Sequence, residues 1–166
     1  MAVHPMMRRL CIDHLHLHQQ WLKGTWYMDT LLSKVKSKLG NTCTNVYTQG
    51  KFTRAILMTS RKDAGKSLVD FTDDVGIPEH LITDGATEFT GKHTEFVKKV
   101  CRMRILLQTT EQGRKNQNHA AECKIGFLAK RWKLQMMKKN VPKHLWDFGL
   151  IYESKLLSRM ACGSNW

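Results

Sequence analysis

The sequence lacks the features that mark several common classes of protein. Its five cysteines are an odd number, are scattered along the chain and include no Cys-x-x-Cys pair, so neither a disulfide framework nor a structural zinc site is indicated. No apolar run approaches the roughly 20 residues that a membrane-spanning helix needs, and the first residues contain no apolar segment of a signal peptide. We therefore expect reduced thiols and a soluble, intracellular protein.

Phosphate-binding glycine loops, internal repeats and low-complexity tracts are also missing. The sequence thus gives no sign of a small-molecule cofactor. Its 166 residues and 19.2 kDa suit one domain with one hydrophobic core.

Acidic residues are scarce compared with basic ones. The chain has 27 Lys and Arg against 14 Asp and Glu, which gives a net charge of +13 and a pI near 9.8. Such an excess favours a polyanionic partner. Nucleic acid is the first candidate, and an anionic membrane surface is the second.

Residues 1–23 are basic, rich in methionine and histidine, and without a clean period. We interpret them as an N-terminal arm or a truncated preceding segment. As a strand, this segment would place His14, His16 and His18 on one face, a spacing that suits zinc or nickel. Because no fourth ligand accompanies them, we favour a solvated arm with incidental histidines.

Three strands are predicted at the start of the ordered part. Residues 25–31 are aromatic-rich and strand-like, and they carry Asp29 in the interior, where a charge needs a reason. Residues 42–48 and 52–58 are β-rich runs joined by a short turn around Gly50, so we expect an antiparallel hairpin. The result is a three-stranded meander.

A helix and a fourth strand follow. A capping-box pattern from Ser60 to Asp63 begins the helix, which we expect to stop at Gly76. The next apolar run, residues 81–83, ends abruptly at Asp84. A buried strand that stops in this way presents its last side chain to solvent and to ligands.

We expect Thr90 to cap a second helix, and residues 104–108 to form a fifth strand. Residues 109–117 are polar and are predicted to form a mobile loop.

A long helix is predicted over residues 118–139, with a last helix that begins at Pro142. The long helix has an apolar stripe at Ile125, Leu128, Trp132 and Met136. Glu122 lies one turn before this stripe, and we expect its carboxylate to point toward the sheet.

The order of these elements indicates an α/β fold with a five-stranded mixed sheet flanked by helices. In such a sheet the first and fourth strands can be neighbours, which would bring Asp29 beside Asp84 while Glu122 approaches from the helix packed across the sheet. Three converging carboxylates repel one another unless cations lie between them. Oxygen ligands alone favour Mg²⁺ or Mn²⁺, and two such ions suit phosphodiester transfer.

Three blocks of sequence carry a family resemblance. They are residues 26–30, which contain Asp29, residues 82–91, which contain Asp84, and residues 114–122, which end in an Asn-x-x-Ala-Glu pattern at Glu122. In this order they resemble the catalytic core of retroviral and retrotransposon integrases, closest to the copia-like kind. The likeness extends over about residues 24–159.

The resemblance implies a ribonuclease H-like fold and a catalytic, metal-binding triad of Asp29, Asp84 and Glu122. Here 54 residues separate the first pair and 37 the second. It further implies an enzyme that uses two Mg²⁺ or Mn²⁺ ions to process element ends and join them to target DNA. The expected partners are DNA and further copies of the chain, with no membrane, and the expected location in a eukaryotic host is the nucleus.

The chain also departs from the family pattern. Gly85 stands where integrases commonly have asparagine, and residues 111–113 lack the proline that is common before the glutamate. With no zinc-binding module recognised before the core and no DNA-binding tail after it, we interpret residues 24–160 as an integrase core and 161–166 as a tail. A fragment or a decayed element fits this arrangement.

Candidate DNA contacts lie in the loop and on the long helix. The loop residues are Arg114, Lys115, Asn116 and Gln117, and the helix residues are Lys124, Lys130 and Lys133. Helix lysines often only solvate a face.

Structural readings of the carboxylates remain open as well. Asp29 could be an edge-strand charge, Asp84 a turn residue and Glu122 half of a surface ion pair. Glu88 is the best substitute ligand if Asp84 has another partner, but it is expected in the turn beyond the fourth strand, and we do not expect it to be a ligand. The alternative functions are a degenerate, non-catalytic nucleic-acid-binding module and a ribonuclease H-type nuclease.

Overall fold

The computed structural model describes residues 20–91, 94–110 and 119–163. The strands are β1 (Trp21–Leu32), β2 (Cys43–Gln49), β3 (Phe52–Met58), β4 (Ile77–Thr83) and β5 (Leu106–Thr109). The helices are α1 (Ala64–Asp74), α2 (Thr87–Thr90), α3 (Glu95–Arg102), α4 (His119–Lys138) and α5 (Trp146–Gly163). Short 3₁₀ turns, Arg61–Asp63 and Lys143–Leu145, lead into α1 and α5.

All five strands form one mixed sheet in the order β3-β2-β1-β4-β5. β1, β2 and β3 are antiparallel neighbours, whereas β4 is parallel to both β1 and β5. The predicted hairpin is confirmed, and its turn contains Gly50 at a φ of 54°, a conformation that glycine adopts without strain. The predicted fold class and the adjacency of the first and fourth strands are therefore confirmed.

The first strand begins earlier than predicted. Trp21 pairs with Ile77 and Leu22 with Pro78, and the Ile77 N–H donates to the Gln20 carbonyl at 2.8 Å. The register shifts after Leu22, where Gly24 has a φ of 84°. Residues 21–23, assigned to the arm from sequence, thus belong to β1. His14, His16 and His18 lie outside the described residues.

Two further boundaries differ from the prediction. Thr94, not Thr90, caps the helix α3, since its hydroxyl accepts from the Val97 N–H at 3.3 Å, and Thr90 is the last residue of α2. β5 begins two residues later than expected, because Arg104 has a φ of 55° that no strand allows.

Helices cover both faces of the sheet. On one face, β1 residues Trp26 and Met28 pack with Phe71 of α1 and Phe96 of α3. On the other face, the sheet packs against α4 and α5 through a cluster whose buried members are Val46, Ala55, Ile125, Leu128, Trp146 and Leu150. Trp132 and Met136 pack against this second cluster, so the predicted apolar stripe of α4 is confirmed. No helix within the described ranges is long and apolar enough to cross a membrane.

Candidate functional site

Asp29 and Asp84 lie at the same level on neighbouring strands. Met28 of β1 is paired with Thr83 of the parallel strand β4, and each aspartate is the next residue along its chain. Asp29 lies within β1, whereas Asp84 is the first residue after β4. The register therefore brings the two aspartates side by side at the C-terminal end of β4.

Asp29 lies on the sheet face that α4 and α5 cover. Its partner across the antiparallel ladder is Val46, and Leu31 lies two residues further along β1. Both of these side chains pack in the cluster between the sheet and the helices α4 and α5, whereas the adjacent Met28 is buried on the opposite face. Strand alternation thus turns Asp29 toward α4.

Glu122 occupies the first turn of α4, one turn before the buried Ile125. Its side chain is exposed, whereas the sequence predicts a carboxylate that points toward the sheet rather than into water. Glu122 lies at the N-terminal end of α4, before the part of the helix that packs against the sheet through Ile125 and Leu128. Its negative charge nevertheless acts on Asp29.

Burial is the main cause that raises the pKa of the half-buried Asp29. The Thr30 N–H, which donates to Asp29 Oδ1 at 2.7 Å, opposes this rise, while the charges of Asp84 and then Glu122 add to it. No basic side chain is among these causes. The ionised form of Asp29 is therefore less favoured than that of an ordinary aspartate.

Two residues beside Asp29 were not singled out from the sequence. Thr30 donates its hydroxyl to Asn45 Oδ1 at 2.7 Å, and Asn45 is completely buried on β2. This pair fixes the segment whose N–H bonds to Asp29. Only the β1–β2 register reveals it, because 15 residues separate the two side chains in sequence.

The turn after β4 positions Asp84. The Ala86 N–H donates to Asp84 Oδ1 at 3.4 Å, and the Thr110 N–H donates to the Thr83 carbonyl at 2.9 Å. Gly85 has space for a side chain, since the nearest atom to an added Cβ would be Thr110 O at 3.7 Å. The glycine that departs from the integrase pattern is thus not required by crowding.

The three carboxylates fit a hard divalent cation in donor chemistry and in charge. In the part of the chain that the structure describes, no three Asp, Glu, His or Cys side chains already lie close enough together to hold a metal. Asp29, Asp84 and Glu122 would therefore have to move closer together to share an ion.

The remaining predicted site residues are placed as follows. Lys124 is half-buried on α4, and Lys130 and Lys133 are exposed on the same helix. Arg114, Lys115, Asn116 and Gln117 lie outside the described residues. Glu88 belongs to the short helix α2 rather than to an irregular turn.

Comparison with known proteins gives matches in structure only. No protein-family model matches the sequence, and no curated protein matches it. A chain of the simian T-cell lymphotropic virus intasome, solved in complex with PP2A regulatory subunit B56 gamma, is similar with a TM-score of 0.61 and 18% identity over 80% of this chain and 50% of that one. This protein therefore spans about half the length of that relative.

The HTLV-2 integrase catalytic core domain, solved in complex with magnesium in trimeric and dimeric forms, is similar with a TM-score of 0.58. The identity is 16% over 78% of this chain and 81% of the HTLV-2 chain. The protein thus has the ribonuclease H-like fold of retroviral integrase catalytic cores, as the sequence predicts. The likeness is one of fold, and the finer copia-like resemblance stays a prediction.

Proposed function

We propose that this protein is a polynucleotidyl transferase core that processes DNA ends and joins them to target DNA. The proposal is best supported by the pairing of β1 with β4, which brings Asp29 beside Asp84. The charge of Glu122 on α4 also raises the pKa of Asp29. Burial and the charges of Asp84 and Glu122 raise the pKa of Asp29, and a carboxylate perturbed by like charges is a candidate for a functional site.

In this proposal Asp29, Asp84 and Glu122 hold two Mg²⁺ or Mn²⁺ ions. The bound ions would activate the attacking oxygen and stabilise the leaving oxygen of a phosphodiester. Asp29 would serve as the fixed ligand, because its strand is central in the sheet and the Thr30 N–H orients one of its oxygens. Glu122, exposed at the end of its helix, would close onto the site when DNA and ions bind.

DNA binding is proposed from charge and from the direction of α4. Lys124, Lys130 and Lys133 follow Glu122 along this helix, and the loop residues from Arg114 to Gln117 precede it. Lysines and arginines can contact the phosphates of DNA. We also propose that the protein acts as a homo-oligomer, since two element ends must be joined together, and that it works in the nucleus of a eukaryotic host.

The test is a DNA-joining assay with a labelled donor end and target DNA in Mg²⁺ or Mn²⁺. Asp84→Asn and Glu122→Gln should abolish joining while the circular dichroism spectrum stays unchanged. Glu79→Gln, which alters an exposed carboxylate on the same strand that leads to Asp84, is the matched control and should stay active. Equal activity in all three variants would contradict the proposal.

A non-catalytic DNA-binding module is the second candidate. It is supported by the spacing of the three carboxylates. All three lie in the described ranges, and there they are not grouped closely enough to hold an ion. Such a module would bind DNA in a salt-sensitive way and show no metal-dependent joining. A ribonuclease H-type nuclease would instead cleave the RNA strand of an RNA–DNA hybrid.

A further inference from the structure

An apolar groove lies between the end of β1 and the C-terminal half of α4. Its volume is about 750 Å³, within the range typical of ligand pockets. One wall is the end of β1 with the loop after it, and the other is the C-terminal half of α4 with the turn into α5. The apolar lining includes Leu31, Val35, Trp132, Met136, Val141 and Pro142. We call this feature the α4–α5 groove.

Hydrogen bonds hold the loop wall of the groove in place. Asn41 Nδ2 donates to Oδ2 of the fully buried Asp147 at 3.0 Å, and the Lys38 N–H donates to the His144 carbonyl at 2.8 Å. The Ser37 N–H also bonds to the Asn41 carbonyl at 2.9 Å. The groove is therefore preformed, so a ligand would not have to order the loop at a cost in entropy.

Large apolar side chains remain exposed at the groove. Met137 is 73% exposed and Leu32 is 58% exposed, and both line it. A continuous apolar surface with a polar border is the usual form of a protein-binding site. Covering these side chains would remove apolar surface from water, which is the main favourable term in association.

The border of the groove is basic. Lys34, Lys133 and Lys143 are among its lining residues, and no Asp or Glu is among them. Lys36 and Lys38 extend the positive charge along the loop. The groove thus matches a ligand with apolar side chains in the middle and carboxylates at its ends.

We propose that the α4–α5 groove binds a short segment of a partner protein in which large apolar residues are flanked by Asp or Glu. The apolar side chains enter the groove, and the acidic residues contact Lys34 and Lys143 of the border. Since Leu31 lies two residues after Asp29, and Lys133 lies roughly 16 Å along α4 from Glu122, the partner would be held next to the proposed DNA site.

Other occupants match the groove less well. A second copy of the chain would set lysine against lysine across a symmetric contact, in a protein that already carries a net charge of +13. Residues 1–19 of the same chain contain Arg8 and Arg9 but only one acid, Asp13. A nucleic-acid backbone would be attracted by the lysines but would leave the apolar floor without a partner.

The probe is a phage-displayed library of random short peptides, selected on the full-length chain and counter-selected on its Met137→Glu variant. We expect the enriched peptides to combine Leu, Phe, Trp or Met with flanking Asp or Glu. In fluorescence anisotropy, Met137→Glu should weaken their binding by about tenfold or more. Lys143→Glu should weaken it as well, and more strongly at low salt.

Met160→Glu is the matched control, because Met160 is 58% exposed on α5 and does not line the groove. This variant should bind the peptides like the wild type. Circular dichroism of all three variants verifies the fold. The proposal is overturned if no peptide depends on Met137, if the enriched peptides are basic, or if an oligothymidylate rather than peptides binds in a Met137-dependent way.

Discussion

Asp29 and Asp84 directly follow the paired residues Met28 and Thr83 on adjacent parallel strands, and the charge of Asp84 raises the pKa of Asp29. The same backbone register that holds the sheet together therefore brings two like charges side by side. Folding stability is reduced at this point in the absence of a cation, because burial of Asp29 adds to the repulsion.

Removing the charge of Asp29 should stabilise the metal-free protein. Asp29→Asn keeps the shape of the side chain and abolishes the repulsion from Asp84 and Glu122. We expect a higher melting temperature at neutral pH in EDTA, by about 2–4 °C for each kcal/mol of repulsion removed in a domain of this size. Glu79→Gln, at an exposed position, should leave the melting temperature unchanged.

The raised pKa of Asp29 should also make the free energy of unfolding depend on pH. Because the pKa of Asp29 is raised in the folded state, the folded protein keeps this proton at pH values where the unfolded chain has lost it. Wild-type stability should therefore fall as pH rises from the ordinary Asp range through the raised pKa. Asp29→Asn should lack this part of the slope in urea titrations, and an identical slope in both proteins would contradict the assignment.

Gly85 should accept the asparagine that integrases commonly carry. An added Cβ would meet nothing nearer than Thr110 O at 3.7 Å, so we expect Gly85→Asn to change the free energy of unfolding by less than about 0.5 kcal/mol. Gly76→Ala is the contrast, since its φ is 134° and its Cβ would strike the Gln20 carbonyl. Urea denaturation should show a clear loss of stability in Gly76→Ala alone.

An ion pair joins α4 to α5, with its carboxylate buried and its guanidinium partly exposed. Arg131 Nε lies 3.1 Å from Glu153 Oε2, and the Glu153 side chain is only 1% exposed. Arg131→Met would leave this carboxylate buried without its cation, at a cost of about 3 kcal/mol. The double variant Arg131→Met, Glu153→Leu should recover most of that loss in urea denaturation. A single variant as stable as the wild type would show that the pair contributes little.

The sequence predicts the sheet and most of its elements because their signals are local. Aromatic and other β-favouring residues mark β1 to β3, the Ser60 capping box marks the start of the first helix, and the stripe from Ile125 to Met136 marks α4. The capping box is observed with both of its hydrogen bonds. The order of the elements allows the first and fourth strands to be neighbours, and the structure confirms that they are.

Features that depend on distant contacts could not be predicted. Trp21 belongs to β1 because Ile77 offers it a partner, and the loop after β1 is fixed by the Asn41–Asp147 bond, which spans 106 residues. The exposure of Glu122 depends on where α4 rests on the sheet, which its apolar stripe does not specify. The α4–α5 groove results from these same contacts, so no stretch of sequence indicated it.

We propose that Asp29, Asp84 and Glu122 together hold the divalent cations. The most direct test of this proposal is isothermal titration of Mn²⁺ into the purified chain and its variants. We predict saturable binding by the wild type and by Glu79→Gln, with at least about tenfold weaker binding by Asp29→Asn, Asp84→Asn and Glu122→Gln. Equal Mn²⁺ affinity in the wild type and the three carboxylate variants would contradict the account.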